Sequence, residues 1–220
     1  MSETMRRGPY AKGVRRREEI LDRTRRMLTE RGASKISLRA VAEDVGISHG
    51  TLLHYFPTIE ELMLEVVALN DLSSAEWLAS HQQAGLAEEM IEGARHNVST
   101  AGVIATYTAM LSVAVEETNV VSRAFFIKRF AQGRVALAKA LRAGRPDLTD
   151  DRQAEALANL IMAAFDGLQT QWLLDPEVDL AGSMAMLKPL LGDAPATYAA
   201  FQELTLDLWR TIRQETTTAG

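Results

Sequence analysis

With 220 residues, 47% of them apolar and 6% aromatic, the chain has material for one large or two modest domains, and its richness in Ala and Leu favours helices over sheets. It contains no cysteine, which excludes disulfides, thiolate metal sites and cysteine nucleophiles and suits a reducing cytoplasm. The net charge of −5 is split: residues 1–56 hold 12 Lys/Arg against 7 Asp/Glu (+5), and residues 57–220 hold 12 against 22 (−10), a basic module on an acidic body.

The N-terminal stretch MSETMRRGPYAKGVRRR is basic, but no apolar segment and cleavage site follow, so it does not read as a signal peptide. Residues 1–12 are expected to be disordered. A first helix is predicted from about Val14 to Arg31, with Ile20, Leu21, Thr24, Met27 and Leu28 on one stripe and Gly32 at its end. A second follows from Leu38 to Val45, where Val41, Ala42 and Val45 share a face, and Gly46 ends it as a residue able to adopt positive φ. Ser48 can cap a third, His49 to Tyr55. Helix, tight turn and short helix in this order form a helix-turn-helix, whose second helix enters the DNA major groove.

Thr58-Ile59-Glu60-Glu61 is a capping box, in which the Thr58 hydroxyl accepts from the Glu61 amide and Glu61 reaches back. It opens a long helix through Leu62, Val66 and Leu69 toward Trp77, linking head to body. Further helices are predicted at about 86–96, 99–118 and 120–143. A turn at Gly144-Arg145-Pro146-Asp147 comes next, then a helix capped by Thr149 or Asp150 and stopped by Asp175-Pro176. A shorter helix at 179–191 and a last one at 196–214 complete an all-α chain. The uncharged run Asn97 to Val115 carries too many polar groups for a membrane span and reads as a buried core helix.

The four histidines, His49, His54, His81 and His96, form no metal-ligand spacing, and there is no GxGxxG, P-loop or GxSxG. No metal, cofactor or catalytic residue is expected, and the chain does not read as an enzyme.

The segment Ser37 to Leu62 resembles the DNA-binding domain of the TetR (tetracycline repressor-like) family of bacterial transcription regulators. The matching residues are Leu38-Arg39-Ala40-Val41-Ala42, Val45-Gly46-Ile47-Ser48, Gly50-Thr51-Leu52, Tyr55-Phe56-Pro57 and Glu60-Glu61-Leu62. With the preceding helix the resemblance covers about residues 14–64, and a weaker similarity around Asp166-Gly167-Leu168 points to dimerisation helices. Leu53 stands where the family usually has Tyr, and Ile59 where it usually has Lys, so two customary phosphate contacts are absent.

In this frame His49 lies at the first position of the recognition helix, Gly50 admits close backbone approach, and Thr51 offers a hydroxyl and a methyl to DNA. Arg39 can pair with guanine, Ser48 and Thr58 sit at helix starts, and His54 and Tyr55 face phosphates, with core packing on Phe56 as the other role open to Tyr55. Arg15, Arg16 and Arg17 can follow the backbone, as can Arg6 and Arg7 in the tail. Leu53 either meets a thymine methyl or packs internally.

The resemblance implies an N-terminal domain (1–64) and a helical effector-binding and dimerisation domain (65–220). It implies a homodimeric, ligand-responsive repressor in the cytoplasm, binding a palindromic operator in double-stranded DNA and a small-molecule effector, with no membrane partner. Tyr107, Met110, Phe126, Arg129, Phe130, Phe165, Gln169 and Trp172 are the candidate effector pocket. Ala158, Ile161, Met162, Phe165 and Leu168 offer a surface for a dimer interface or for the monomer's own core. The rival reading is a protein-interaction or scaffold module whose head binds a protein, favoured by the apolar Leu53 and Ile59.

Overall fold

A computed structural model describes residues 9–81, 85–116, 119–197 and 203. Among these, all regular structure is helical: α1 (Pro9–Arg31), α2 (Leu38–Val45), α3 (His49–Tyr55), α4 (Ile59–Ser80), α5 (Leu86–Ser99), α6 (Ala101–Val115), α7 (Val120–Gly144), α8 (Asp151–Leu174), α9 (Leu180–Ala185) and α10 (Lys188–Leu191). A 3-10 turn, Ala33–Lys35, joins α1 to α2.

Local chemistry sets most of these boundaries. Ser37, Ser48, Thr58, Asn119, Asp150 and Asp179 each accept a backbone amide of the turn they start, satisfying donors that a helix leaves unpaired. Gly46 sits at φ 72°, ψ 37°, a left-handed conformation costly for any residue with a Cβ. The chain then turns so that the Ile47 amide returns to the Ala42 carbonyl at 2.9 Å, closing α2. Glu61 donates its amide to Thr58, but one of its carboxylate oxygens is buried without a partner, so the reciprocal half of the capping box is not made.

α1 to α3 pack with the start of α4 around Ile20, Leu21, Met27, Leu28, Val41, Leu52, Phe56 and Leu62, all fully buried. Asp44 ties α2 to α1 by pairing with Arg23 and, at 2.7 Å, Arg31, and hydrogen bonding from Arg23 first of all holds its carboxyl below the ordinary range. Further along α4, Leu64, Val67 and Ala68 turn into a second cluster with Tyr107, Phe125 and Phe126. One continuous helix thus serves both cores, with Met63 and Val66 toward the head and Leu64, Val67 and Ala68 toward the body.

Head and body also meet where α6 passes the end of α1. A Cβ built on Gly102 would stand 1.9 Å from the Leu28 carbonyl oxygen, so only glycine permits this approach. Val103, next to it, belongs to the head core.

Several predicted bounds shift. The first helix begins at Pro9, not Val14, because Pro at a helix start gives up only an amide that would lack a partner anyway. The predicted helices at 86–96 and 99–118 become α5 and α6, bent by 100° at Thr100. No single helix among the described residues is long and apolar enough to cross a membrane. The segment 179–191 is two helices, because Pro189 lacks an amide and its ring collides with the carbonyl four residues back, stopping α9 at Ala185. The predicted helix 196–214 lies almost wholly outside the described residues, as do Arg6 and Arg7.

Candidate nucleic-acid interface and body cavity

α3 is held from behind by Leu52, which is fully buried, and by Phe56 at its end. Its front is open: Ser48, His49, Gly50, Thr51, Leu53 and His54 are all exposed. The Ser48 hydroxyl accepts the Thr51 amide at 3.0 Å and lies 2.8 Å from the Thr51 hydroxyl, which fixes the first turn. At Gly50 an added Cβ would meet nothing closer than the Ser48 hydroxyl at 3.9 Å. The fold does not require glycine here, so the smooth surface is available to whatever lies against it.

The head also carries uncommitted cations. Arg39, on the first turn of α2, is exposed and makes no hydrogen bond or ion pair among the described residues; the same holds for Lys12 and Arg15. Arg16 pairs with Glu19 at 2.6 Å on the surface, an attachment worth little. Lys12, Arg15 and Arg16 share a shallow hollow with His54 and Tyr55, so α1 delivers positive charge to the end of α3. Thr58 lies exposed at the start of α4, whose amino-terminal amides carry partial positive charge.

Residues 20–66 match the family model described as bacterial regulatory proteins, tetR family. The chain is 43% identical over 49 residues to the HTH-type transcriptional regulator PksA of Bacillus subtilis (strain 168), an alignment covering 22% of this chain and 24% of that protein. The chain carries a TetR-family helix-turn-helix head. The matched region thus spans about a quarter of that relative's length.

Within this TetR-family head the structure shows how Arg17, Tyr55, Ile59 and Leu53 are placed. Arg17, grouped with Arg15 and Arg16 in the sequence, turns inward: its side chain is 14% exposed, it pairs with Glu65 (1% exposed), donates to the Tyr55 carbonyl and lies 4.2 Å over the Phe56 ring. It clamps α1, α3 and α4 together, with each of its three nitrogens donating within the head. Tyr55 is half-buried against the head core while its ring edge meets His54, so it serves packing and surface at once. Ile59 packs against the same core, whereas Leu53 remains 37% exposed on the open front.

The body encloses a cavity of about 240 Å³ between α4, α5, α6, α7 and α8, compared with roughly 10–15 Å³ for a single water. Of the eight predicted pocket residues, Tyr107, Arg129, Phe165 and Gln169 line it. Met110, Phe126 and Phe130 instead pack beside Leu64 and Val67, and Trp172 packs with Ala94, Leu180 and Met184. The aromatic residues were attractive as cavity walls for the property that buries them elsewhere, their large apolar area.

Sequence reasoning missed the polar half of the cavity: Asn70, Asp71, Glu89, Asn97, Asp166 and Thr197. Arg129 donates from Nε and Nη2 to Asp71 at 2.7 and 3.0 Å and from Nη1 to the Tyr107 hydroxyl at 3.3 Å, and Tyr107 donates to Asp166 at 3.1 Å. Burial raises the Tyr107 hydroxyl and the Asp166 carboxyl above their ordinary values; for Asp166, Arg129 and Tyr107 pull the other way. Burial also opposes the charge on Arg129, yet Asp71, Tyr107 and Asp166 hold it above its ordinary value. The available signal was Asn70-Asp71 and Asp166 interrupting apolar helix runs.

The predicted dimer surface faces inward. Ala158 and Ile161 are buried with Leu86, Leu137, Leu141 and Leu191, while Met162, Phe165 and Leu168 pack against interior clusters. The outward side of α8 carries Ala156, Leu160 (67% exposed), Ala163, Gly167 and Leu174 (83% exposed). The richer of the two apolar stripes goes to the chain's own core, leaving the sparser one outside.

Proposed function

We propose that the chain is a DNA-binding transcriptional regulator of the TetR type, a homodimeric repressor whose affinity for a palindromic operator responds to a small molecule in the body cavity. The observation that carries this reading is the open front of α3, capped by Ser48, in a head that carries the uncommitted cations Arg39, Lys12 and Arg15 and matches the family. His49, Gly50 and Thr51 are the readers of base edges, Arg39 adds a contact from α2, and Arg15, Arg16, Tyr55 and the α4 amides hold phosphates. Phosphate contacts set position and affinity; base contacts set sequence.

Dimerisation through the outward stripe of α8 would present two α3 helices to half-sites about 34–36 Å apart, or a multiple of that distance. Two helices join cavity to head. α4 carries Val66 in the head core and Asn70 and Asp71 at the cavity; α6 carries Gly102 and Val103 at the head and Tyr107 at the cavity. An effector that favours one arrangement of these helices over another changes the separation of the heads.

Selection from a random pool of DNA duplexes tests the reading. The expected result is enrichment of a two-fold symmetric sequence bound in the presence of competitor DNA. Lack of enrichment, with binding to a protein partner through the exposed Leu53, would favour the interaction-module reading.

A further inference from the structure

The cavity is asymmetric in charge. Among its described lining residues stand three carboxylates, Asp71, Glu89 and Asp166, against one guanidinium, Arg129. That guanidinium is already engaged: two of its nitrogens donate to Asp71, the third to the Tyr107 hydroxyl, and its central carbon lies 4.7 Å from the centre of the Tyr107 ring. Glu89 is likewise engaged, accepting from the Thr197 amide and, at 2.8 Å, from its hydroxyl. Asp166 receives one hydrogen bond, from Tyr107. The Asn70 side-chain oxygen, on a residue 5% exposed and lining the same cavity, accepts no hydrogen bond among the described residues.

A buried acceptor without a donor is costly, and so is a desolvated carboxylate with no cation of its own. Resting on the effector reading of the body, we propose that this cavity selects a small organic cation, an amine with an apolar body, its ammonium held by Asp166 and its donor hydrogens shared with the Asn70 oxygen. The apolar part lies among Met90, Ile104, Ile161, Met162 and Phe165, which line the same space. Among the described residues an anion finds only a guanidinium already paired with Asp71, and it meets surplus negative charge. A neutral ligand strips water from Asp166 and returns nothing for its charge, so discrimination comes from repulsion and desolvation as much as from attraction.

Three probes sharing one body, phenylbutylamine, phenylbutanol and phenylbutyrate, separate these cases by calorimetric titration of the full chain. The amine is expected to bind about tenfold to a hundredfold more tightly than the alcohol, the gain of a hydrogen bond to a charged group, with the carboxylate weakest. Asp166→Asn should collapse that gap while leaving the alcohol unchanged. Asn70→Asp, a second variant that adds a carboxylate in place of the unpartnered oxygen, should widen it. Equal or tighter binding of the alcohol or the carboxylate, binding of none of the three at millimolar concentration, or a gap untouched by both variants would overturn the assignment. An amine that binds with the expected gap but leaves DNA affinity unchanged would instead contradict the effector reading and leave the ligand class standing.

Discussion

At Gly50 two demands pull in opposite directions. Glycine inside a helix costs roughly 0.5–1 kcal/mol relative to alanine, and the space beside it is open. Gly50→Ala should therefore stabilise the head by about that amount in urea unfolding while weakening DNA binding, because the new methyl stands between helix and groove. A variant that is more stable and binds DNA equally well would remove Gly50 from the interface. Arg15 and Arg17, two positions apart, should also behave as opposites. Arg17→Ala removes the Glu65 ion pair, the hydrogen bond to Tyr55 and the contact with the Phe56 ring together, so the α1–α3–α4 clamp is lost and Tm should drop. Arg15→Ala should leave Tm unchanged and lower the slope of log K against log salt by about 0.9 for the phosphate contact removed. Asp166 gives the pH prediction. Its folded-state carboxyl is raised by burial, with Arg129 from α7 and Tyr107 from α6 opposing and Asp71 from α4 reinforcing. Its contribution to stability is thus present below the unfolded value and lost as pH rises through the folded one. Asp166→Asn should be more stable than the native chain near neutral pH, with the advantage shrinking in acid; an advantage independent of pH would contradict the assignment.

Among the elements, the contact of α6 with the end of α1 is the most exacting. Gly102→Ala places a methyl inside the van der Waals radius of the Leu28 carbonyl, so backbone must move. Overpacking of this kind costs about 1–3 kcal/mol, measurable by urea unfolding, and should alter the response of the head to cavity ligands. Unchanged stability would mean that α1 and α6 are not pressed together. This contact also marks what the sequence could convey. Ser37, Gly46, Ser48 and Thr58 act on neighbours within a few residues, so α2, α3 and the start of α4 were legible to the residue. Arg17 was not, because its partner Glu65 is 48 positions away and nothing in RRR says which arginine faces inward. The cavity and α8 failed for a related reason: periodicity identifies an apolar stripe, but two stripes on one helix compete for the core, and only packing decides which wins. The polar cavity residues were hidden because aromatic area was taken as the mark of a pocket, while Asn70, Asp71 and Asp166 mark it by being polar where the helix is otherwise apolar.

For the whole molecule, α4 and α6 each touch both the head core and the cavity, so two helices connect the cavity to the head. The claim on which the rest depends is that α3 and Arg39 read base edges. The most direct measurement is affinity for the selected duplex with each base pair of one half-site substituted in turn, for the native chain, His49→Ala and Arg39→Ala. Each variant should lose discrimination, about 1–3 kcal/mol, at one or two positions and keep it at the others. Profiles for both variants that match the native one at every position would contradict the account.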